Sequence, residues 1–189
     1  MPKAPTRSFI GRLLTIFRYN EPKSFVELPL PSKGKLFVSP MPFGPYDVHN
    51  RMFKMYLKFN VSMILVLVTD KEIEKKAKKN PLPVYEKHQM QVIRVPFADL
   101  TAPIFEDLAA AIPPLLVHLK KKNVAIHCNA GVGRTGVIAA CVAAAMMKMT
   151  GDEALEYIQK HMTIQITDEQ SRLVNRWVRE EFPRYGFFS

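Results

Sequence analysis

Cysteine is almost missing from this sequence: 189 residues contain two, Cys128 and Cys141. Two thiols give no disulfide framework, which fits a reducing compartment. Long apolar runs are missing too. None reaches the ~18 residues that a membrane span needs, and the longest candidate, Val137 to Met147, is rich in Ala and Met and fits a buried helix. Metal-ligand spacing is absent: His127 and Cys128 are adjacent, and His49, His88, His118 and His161 recur at no ligand interval, which excludes a zinc site of known pattern. Acidic residues are the minority, 17 against 27 Lys and Arg, for a net charge of +10. Hydrophobic residues at 48% and charged residues at 23% exclude wholesale disorder and fit one domain with a sizeable core.

The basic excess is clustered. Lys71, Lys75, Lys76, Lys78 and Lys79 form one group, Lys120 to Lys122 a second, and Arg7, Arg12 and Arg18 a third. Such a field attracts phosphorylated or acidic partners, an anionic membrane or nucleic acid. Glu72 and Glu74 interrupt the first cluster, which reads as a plain solvated helix face. Residues 1–20 carry four basic residues and no acidic one, with Phe9, Ile10, Leu13, Leu14, Ile16 and Phe17 at helical period. Three readings fit: a helix packed on the domain, an amphipathic helix docking on a membrane or partner, and a transit peptide. No unbroken apolar core precedes a small-residue cleavage site, so a secretory signal does not fit. Residues 1–32 are thus a basic amphipathic segment and linker, with Pro22 to Pro31 extended, and 33–189 a folded domain.

Leu36–Val38, Val61–Val68, Gln91–Val95 and Val124–His127 read as strands, with Ser39 to Pro45 as a loop. Val48 to Phe59 has helical spacing, and Asp70 stands where it can cap the next helix. Ile104, Phe105, Leu108, Ile112, Leu115, Leu116 and Leu119 share a helical face that Pro113-Pro114 interrupts, predicting a kink or two short helices. Thr150…Glu153 and Thr167…Gln170 are capping boxes opening helices to about Met162 and Glu181. Leu173, Val174, Trp177 and Val178 make a core-facing stripe on the last one. Strands alternating with helices predict an α/β domain: a central mixed sheet of about four to five strands with helices on both faces.

The most informative segment is His127 to Gly136, His-Cys-Asn-Ala-Gly-Val-Gly-Arg-Thr-Gly. A β-branched run leads in, and an apolar helical pattern from Thr135 to Met149 leads out. A Gly-rich turn at a helix N-terminus aims backbone N–H groups at one point, where the dipole adds partial positive charge. That point suits a phosphate, and the same field favours a cysteine thiolate. Two competitors fail. Gly131 to Gly136 matches G-x-G-x-x-G, but a dinucleotide fold needs an acid at the end of a second strand about 20 residues on, and Glu153 and Glu156 lie in a helical pattern. A Walker A loop needs Lys where Arg134 stands.

The segment resembles the signature of the protein tyrosine phosphatase superfamily, H-C-x-x-G-x-x-R-[ST]-G, at every specified position: His127, Cys128, Gly131, Arg134, Thr135 and Gly136. Leu36 to Pro42, Asp99-Leu100-Thr101-Ala102-Pro103 and Ile164 to Gln170 resemble the first strand and loop, the general-acid loop and the late I-x-Q-T-x-x-Q segment of compact dual-specificity members. The resemblance spans roughly Lys33 to Phe182. It implies that Cys128 attacks phosphorus as a thiolate and that the planar fork of Arg134 grips two phosphate oxygens. It implies that the amides of Asn129, Ala130, Gly131, Val132, Gly133 and Arg134 hold the other oxygens. Thr135 then assists the thiolate as it leaves, His127 holds the loop through a backbone hydrogen bond, and Asp99 supplies the proton. Asp107 is the alternate acid, in a helical pattern. No cofactor and no metal is implied.

Two departures matter. Tyrosine-specific members carry a Trp-Pro-Asp acid loop, whereas Trp177 here lies in the last helix and Asp99 follows Phe97-Ala98; this favours the compact dual-specificity group. Ile166 takes the position of the water-positioning glutamine, so Gln165 receives no catalytic role. The side chains between Cys128 and Arg134 are uncharged, which points to singly phosphorylated protein side chains. The basic surface points to phosphoinositides or RNA 5′ ends. A module that binds phosphate without cleaving it is the non-enzymatic alternative. The expected partners are phosphorylated proteins, with an anionic membrane reached through the N-terminal segment and nucleic acid still open. The expected compartment is the cytoplasm, with residues 1–20 as a route to a membrane or organelle.

Overall fold

The computed structural model describes residues 25–181. The amphipathic segment of residues 1–20 lies outside them. Strands β1 (Val26–Leu28), β2 (Leu36–Ser39), β3 (Val61–Val66), β4 (Gln91–Arg94) and β5 (Asn123–His127) form one sheet in the order β1-β2-β5-β3-β4. β1 runs antiparallel to β2, and β2, β5, β3 and β4 are mutually parallel. The helices are α1 (Met52–Lys58), α2 (Asp70–Lys76), α3 (Leu82–Lys87), α4 (Phe105–Leu119), α5 (Arg134–Met147), α6 (Gly151–His161) and α7 (Asp168–Glu180).

The strands alternate their side chains between two buried layers, as the strand period of two demands. Leu36, Val38, Leu65, Val124 and Ile126 face α4 to α7. Phe37, Ile64, Val66 and Ala125 face the opposite layer with α1 to α3. Every residue of α5 from Arg134 to Met146 is buried. Its run of alanines is the physical consequence: a helix enclosed on all sides needs small side chains to let neighbours approach. Cys141 lies within it, and burial pushes its thiol pKa up.

Several local expectations are corrected. Val26–Leu28, inside the stretch read as a linker, pairs with Leu36–Val38 as the edge strand, and Phe25 stacks on Phe37 with ring centroids 4.9 Å apart. The helical stretch at 48–59 divides into a 3-10 turn at Val48–Asn50 and α1, because His49 takes a left-handed backbone (φ 63). Thr69 caps α2 through a capping box with Glu72; Asp70 is the first helical residue and instead pairs with Arg94 at 2.7 Å. α4 runs unbroken through Pro113 and Pro114. Burial of Leu108 and Ile112 before the prolines, and of Leu115, Leu116 and Leu119 after them, holds one helix despite the missing N–H donors. The capping boxes at Thr150 and Thr167 form as the sequence predicts.

Four parallel strands bring their C-terminal ends to one edge of the sheet, and β5 sits in the middle of that edge. The segments after Ser39, Val66, Arg94 and His127 therefore converge there, where open α/β sheets place their ligands.

Candidate active site

The loop from Cys128 to Gly133 joins β5 to α5 at that convergence. Gly131 has φ +79, and a Cβ on it would stand 2.7 Å from the Ser39 carbonyl carbon and 2.8 Å from Pro40 N. Both the backbone sign and the close approach to β2 require glycine. Met41 N donates to Asn129 O at 3.2 Å, and Gln165 N donates to Val132 O at 2.9 Å. The loop is thus tied to β2 on one side and to the α6–α7 connection on the other. Gly133 caps α5 with no side-chain hydrogen bond to the helix amides. Gly136 N donates to Gly133 O at 2.7 Å, and the helix start otherwise lacks a side-chain cap, the kind of N-terminus at which an anion can bind.

Cys128 is 2% exposed. Its Sγ accepts from Gly131 N at 3.2 Å and lies 4.0 Å from Thr135 Oγ1. The sulfur therefore faces one amide of its own loop and one hydroxyl from the next helix turn. Ala130, Gly131 and Val132 also border a surface cleft of about 450 Å³ lined in addition by Val26, Val38, His161, Met162 and Thr163. Asn129 is buried, and its side-chain oxygen has no hydrogen-bond partner among the described residues.

Arg134 is fully buried. Its Nη1 donates to Glu72 Oε2 at 2.7 Å and to the Phe97 carbonyl at 2.8 Å, with the Leu67 carbonyl at 3.3 Å. Nη2 donates to Glu72 Oε1 at 2.8 Å. Glu72 thus occupies the end of the guanidinium fork. The side edge is formed by Nε and the second N–H of Nη2: Nε has no hydrogen-bond partner among the described residues, and the Asp99 carboxylate faces it, with Oδ1 at 3.4 Å. A bidentate oxyanion fits such an edge.

Glu72 was read from the sequence as part of a solvated face, and the structure corrects this. The same carboxylate accepts from Thr69 N at 3.1 Å, as the third helical residue of the α2 capping box. Burial pushes the carboxyl up, but hydrogen bonds from Arg134 and Thr69 outweigh it and hold its pKa at about 2. The Thr69-x-x-Glu72 spacing was visible in the sequence; the contact with Arg134 was not. Lys71, Lys75, Lys78 and Lys79 around it are exposed.

His127 is fully buried, with Nδ1 3.4 Å from the Cys128 carbonyl and Nε2 3.1 Å from Tyr85 Oη. Burial pushes its pKa down to about 4, the Arg134 charge acts the same way, and the backbone contact opposes both. Neutral imidazole donates through one nitrogen and accepts through the other, which suits a strut under the loop. The pH dependence of stability follows. Between about pH 6.5 and 4 the unfolded chain binds a proton that folded His127 refuses, so stability should fall as pH is lowered through that window. Denaturant melts of His127→Asn against the parent from pH 7 to 4 check this: the variant's slope should flatten.

Asp99 is 58% exposed on the loop between β4 and α4, and of the two candidate general acids it is the one beside Arg134. Asp107 lies exposed in the first turn of α4. Gln165 meets the loop through its backbone only, donating to Val132 O. Tyr85 borders the site without having been singled out by the sequence, and Gln170, legible there only as a helix cap and part of the late segment, borders it too.

Comparison with known proteins finds similarity in family and in fold. The family model described as a DSP-PTPase phosphatase of polymorphic toxin systems matches residues 46–151. The bovine protein tyrosine phosphatase domain-containing protein 1 is 46% identical over 41 residues, 22% of this chain and 5% of that protein. The mouse counterpart is 44% identical over 41 residues, 6% of its length. Among solved structures, kinase associated phosphatase with its catalytic cysteine replaced by serine superposes at TM-score 0.70 and 20% identity, covering 90% of this chain and 99% of that one. PTPMT1 in complex with PI(5)P superposes at TM-score 0.66 and 18% identity, covering 80% and 94%. These structural likenesses are of fold.

Proposed function

Because the chain belongs to the DSP-PTPase phosphatase family, within the cysteine-based protein tyrosine phosphatase superfamily, we propose that it hydrolyses phosphate monoesters on proteins, phosphotyrosine and phosphoserine or phosphothreonine, through a phosphocysteine intermediate. The observation that carries this reading is the meeting of a nucleophile and a carboxyl group at one arginine. Asp99 stands 3.4 Å from Arg134 Nε, and Cys128 opens the loop that Arg134 closes.

In the first step the Cys128 thiolate attacks phosphorus, the P–S bond forms and the ester P–O bond breaks. Asp99 gives its proton to the departing oxygen. Arg134 and the loop amides hold the remaining oxygens as charge develops on them. In the second step water attacks phosphorus and Asp99 takes its proton. The P–S bond then breaks, with the Thr135 hydroxyl, 4.0 Å away, placed to stabilise the returning thiolate. Asp99 and the phosphate address the same guanidinium edge, so the carboxyl gives way when phosphate binds there.

A generic aryl phosphate should turn over in the presence of chelator. No turnover, or a requirement for a divalent metal, overturns the reading. Asp99→Asn should slow an alkyl phosphate, whose leaving oxygen needs the proton, by about 10²–10⁴ in kcat. An equal rate in parent and variant removes Asp99 from the mechanism.

A second reading, a phosphoinositide substrate, is favoured by the likeness in fold to PTPMT1, solved with PI(5)P, and by the exposed lysines along α2. Against it stand the uncharged side chains between Cys128 and Arg134. A panel of phosphopeptides, inositol lipids and triphosphorylated RNA decides: preferred turnover of phosphopeptides supports the first reading, and of inositol lipids the second.

A further inference from the structure

Gln170 is 1% exposed and bound at both ends of its amide. Its Oε1 accepts from Thr167 N at 3.0 Å, which closes the capping box of α7. Its Nε2 donates to the Thr101 carbonyl at 2.6 Å. Thr101 in turn closes the tight turn that carries Asp99: its N–H and its hydroxyl both donate to the Ala98 carbonyl, at 3.3 Å and 2.8 Å.

Within that turn Leu100 holds a left-handed backbone (φ 64) while its side chain is 68% exposed. A bulky residue keeps such a conformation only when its surroundings impose it. The exposed leucine side chain contributes little packing, so the constraint comes from the flanks. On one flank Arg134 Nη1 holds the Phe97 carbonyl at 2.8 Å. On the other, Gln170 holds Thr101. Capping alone does not account for glutamine here, because glutamate closes a capping box equally well. What glutamate lacks is the N–H pair that reaches Thr101.

We propose that Gln170 is a positioning residue for Asp99, tying the acid turn to the N-terminus of α7. The proposal rests on the reading of Asp99 as the general acid. Gln170→Glu keeps the capping acceptor and removes the donor, leaving a carboxylate against a carbonyl. It should lower kcat for an alkyl phosphate about 10- to 100-fold, the scale of a misplaced catalytic group. An aryl phosphate with a low-pKa leaving group needs no proton and should keep its rate. Thr167→Ala supplies the converse control: it weakens the cap and should lower Tm while leaving the dependence on leaving group as in the parent.

An alkyl phosphate rate unchanged in Gln170→Glu, beside a slowed Asp99→Asn, overturns the proposal and leaves the acid assignment standing. Unchanged rates in both variants overturn both. A uniform loss on alkyl and aryl substrates alike also overturns it, because that is the mark of a general structural role.

Discussion

Cys128→Ser should reduce turnover on the order of 10⁶-fold, the scale seen when a covalent nucleophile is removed. The sulfur has two polar neighbours, the Gly131 amide at 3.2 Å and the Thr135 hydroxyl oxygen at 4.0 Å. A serine hydroxyl at the same place is far harder to ionise at neutral pH, so nothing attacks phosphorus. The cradle itself does not depend on the sulfur. Its shape comes from Gly131 against Ser39, from the ties to Met41 and Gln165, and from the uncapped start of α5. The variant should therefore retain phosphopeptide affinity, and calorimetric titration beside a turnover assay checks both halves. Residual turnover within about tenfold of the parent is incompatible with a covalent mechanism through Cys128.

Arg134→Lys should cost about 10³-fold in kcat, at the upper end of the loss from removing one charge-stabilising donor. The arginine carries out two tasks with two edges of one plane. Its end holds Glu72 and the Phe97 carbonyl, and its side edge, which Asp99 faces, is the one the proposed mechanism assigns to phosphate. Lysine has one ammonium on a flexible stem and cannot face both directions. It also leaves Glu72 without a fork partner, and a carboxylate held near pKa 2 by that partner loses the reason for its position. Steady-state kinetics should show the loss mainly in kcat, with a smaller rise in KM, because the contacts strengthen as charge builds on the equatorial oxygens. A rise in KM at constant kcat rejects that role for the fork.

The loop from Cys128 to Gly133 is legible in the sequence, because its backbone geometry is local. A glycine where φ turns positive, an arginine at the first turn of a helix and a cysteine after a β-run lie within seven residues of one another. Their backbone geometry follows from their own identities. The α/β alternation and the three capping boxes, two read directly and one present as Thr69-x-x-Glu72, are legible for the same reason: each spans a handful of residues. Asp99 is intermediate. Its loop was recognised by resemblance, but its 3.4 Å approach to Arg134 is a matter of how β4 lies in the sheet.

Where the sequence reading went astray, the deciding contacts were long-range. Val26–Leu28 reads as linker because three residues carry no period, and only the neighbouring Leu36–Val38 makes them a strand. Pro113 and Pro114 argue for a broken helix until the buried apolar face of α4 holds it together.

By itself, then, the sequence determined the Cys128-to-Gly136 signature and the family it belongs to, since both are written in contiguous residues and strand–helix periodicity. The tertiary structure alone decided what surrounds the cradle. Glu72 is locally one acid among lysines, and becomes the partner of Arg134 only because β3 and β5 are adjacent and parallel. Gln170 is locally a helix cap, and meets the acid turn only because α7 packs beside it. Side-chain chemistry can be read along a chain; which groups share a guanidinium or a carbonyl depends on strand order and helix packing, which bring distant residues within hydrogen-bond range.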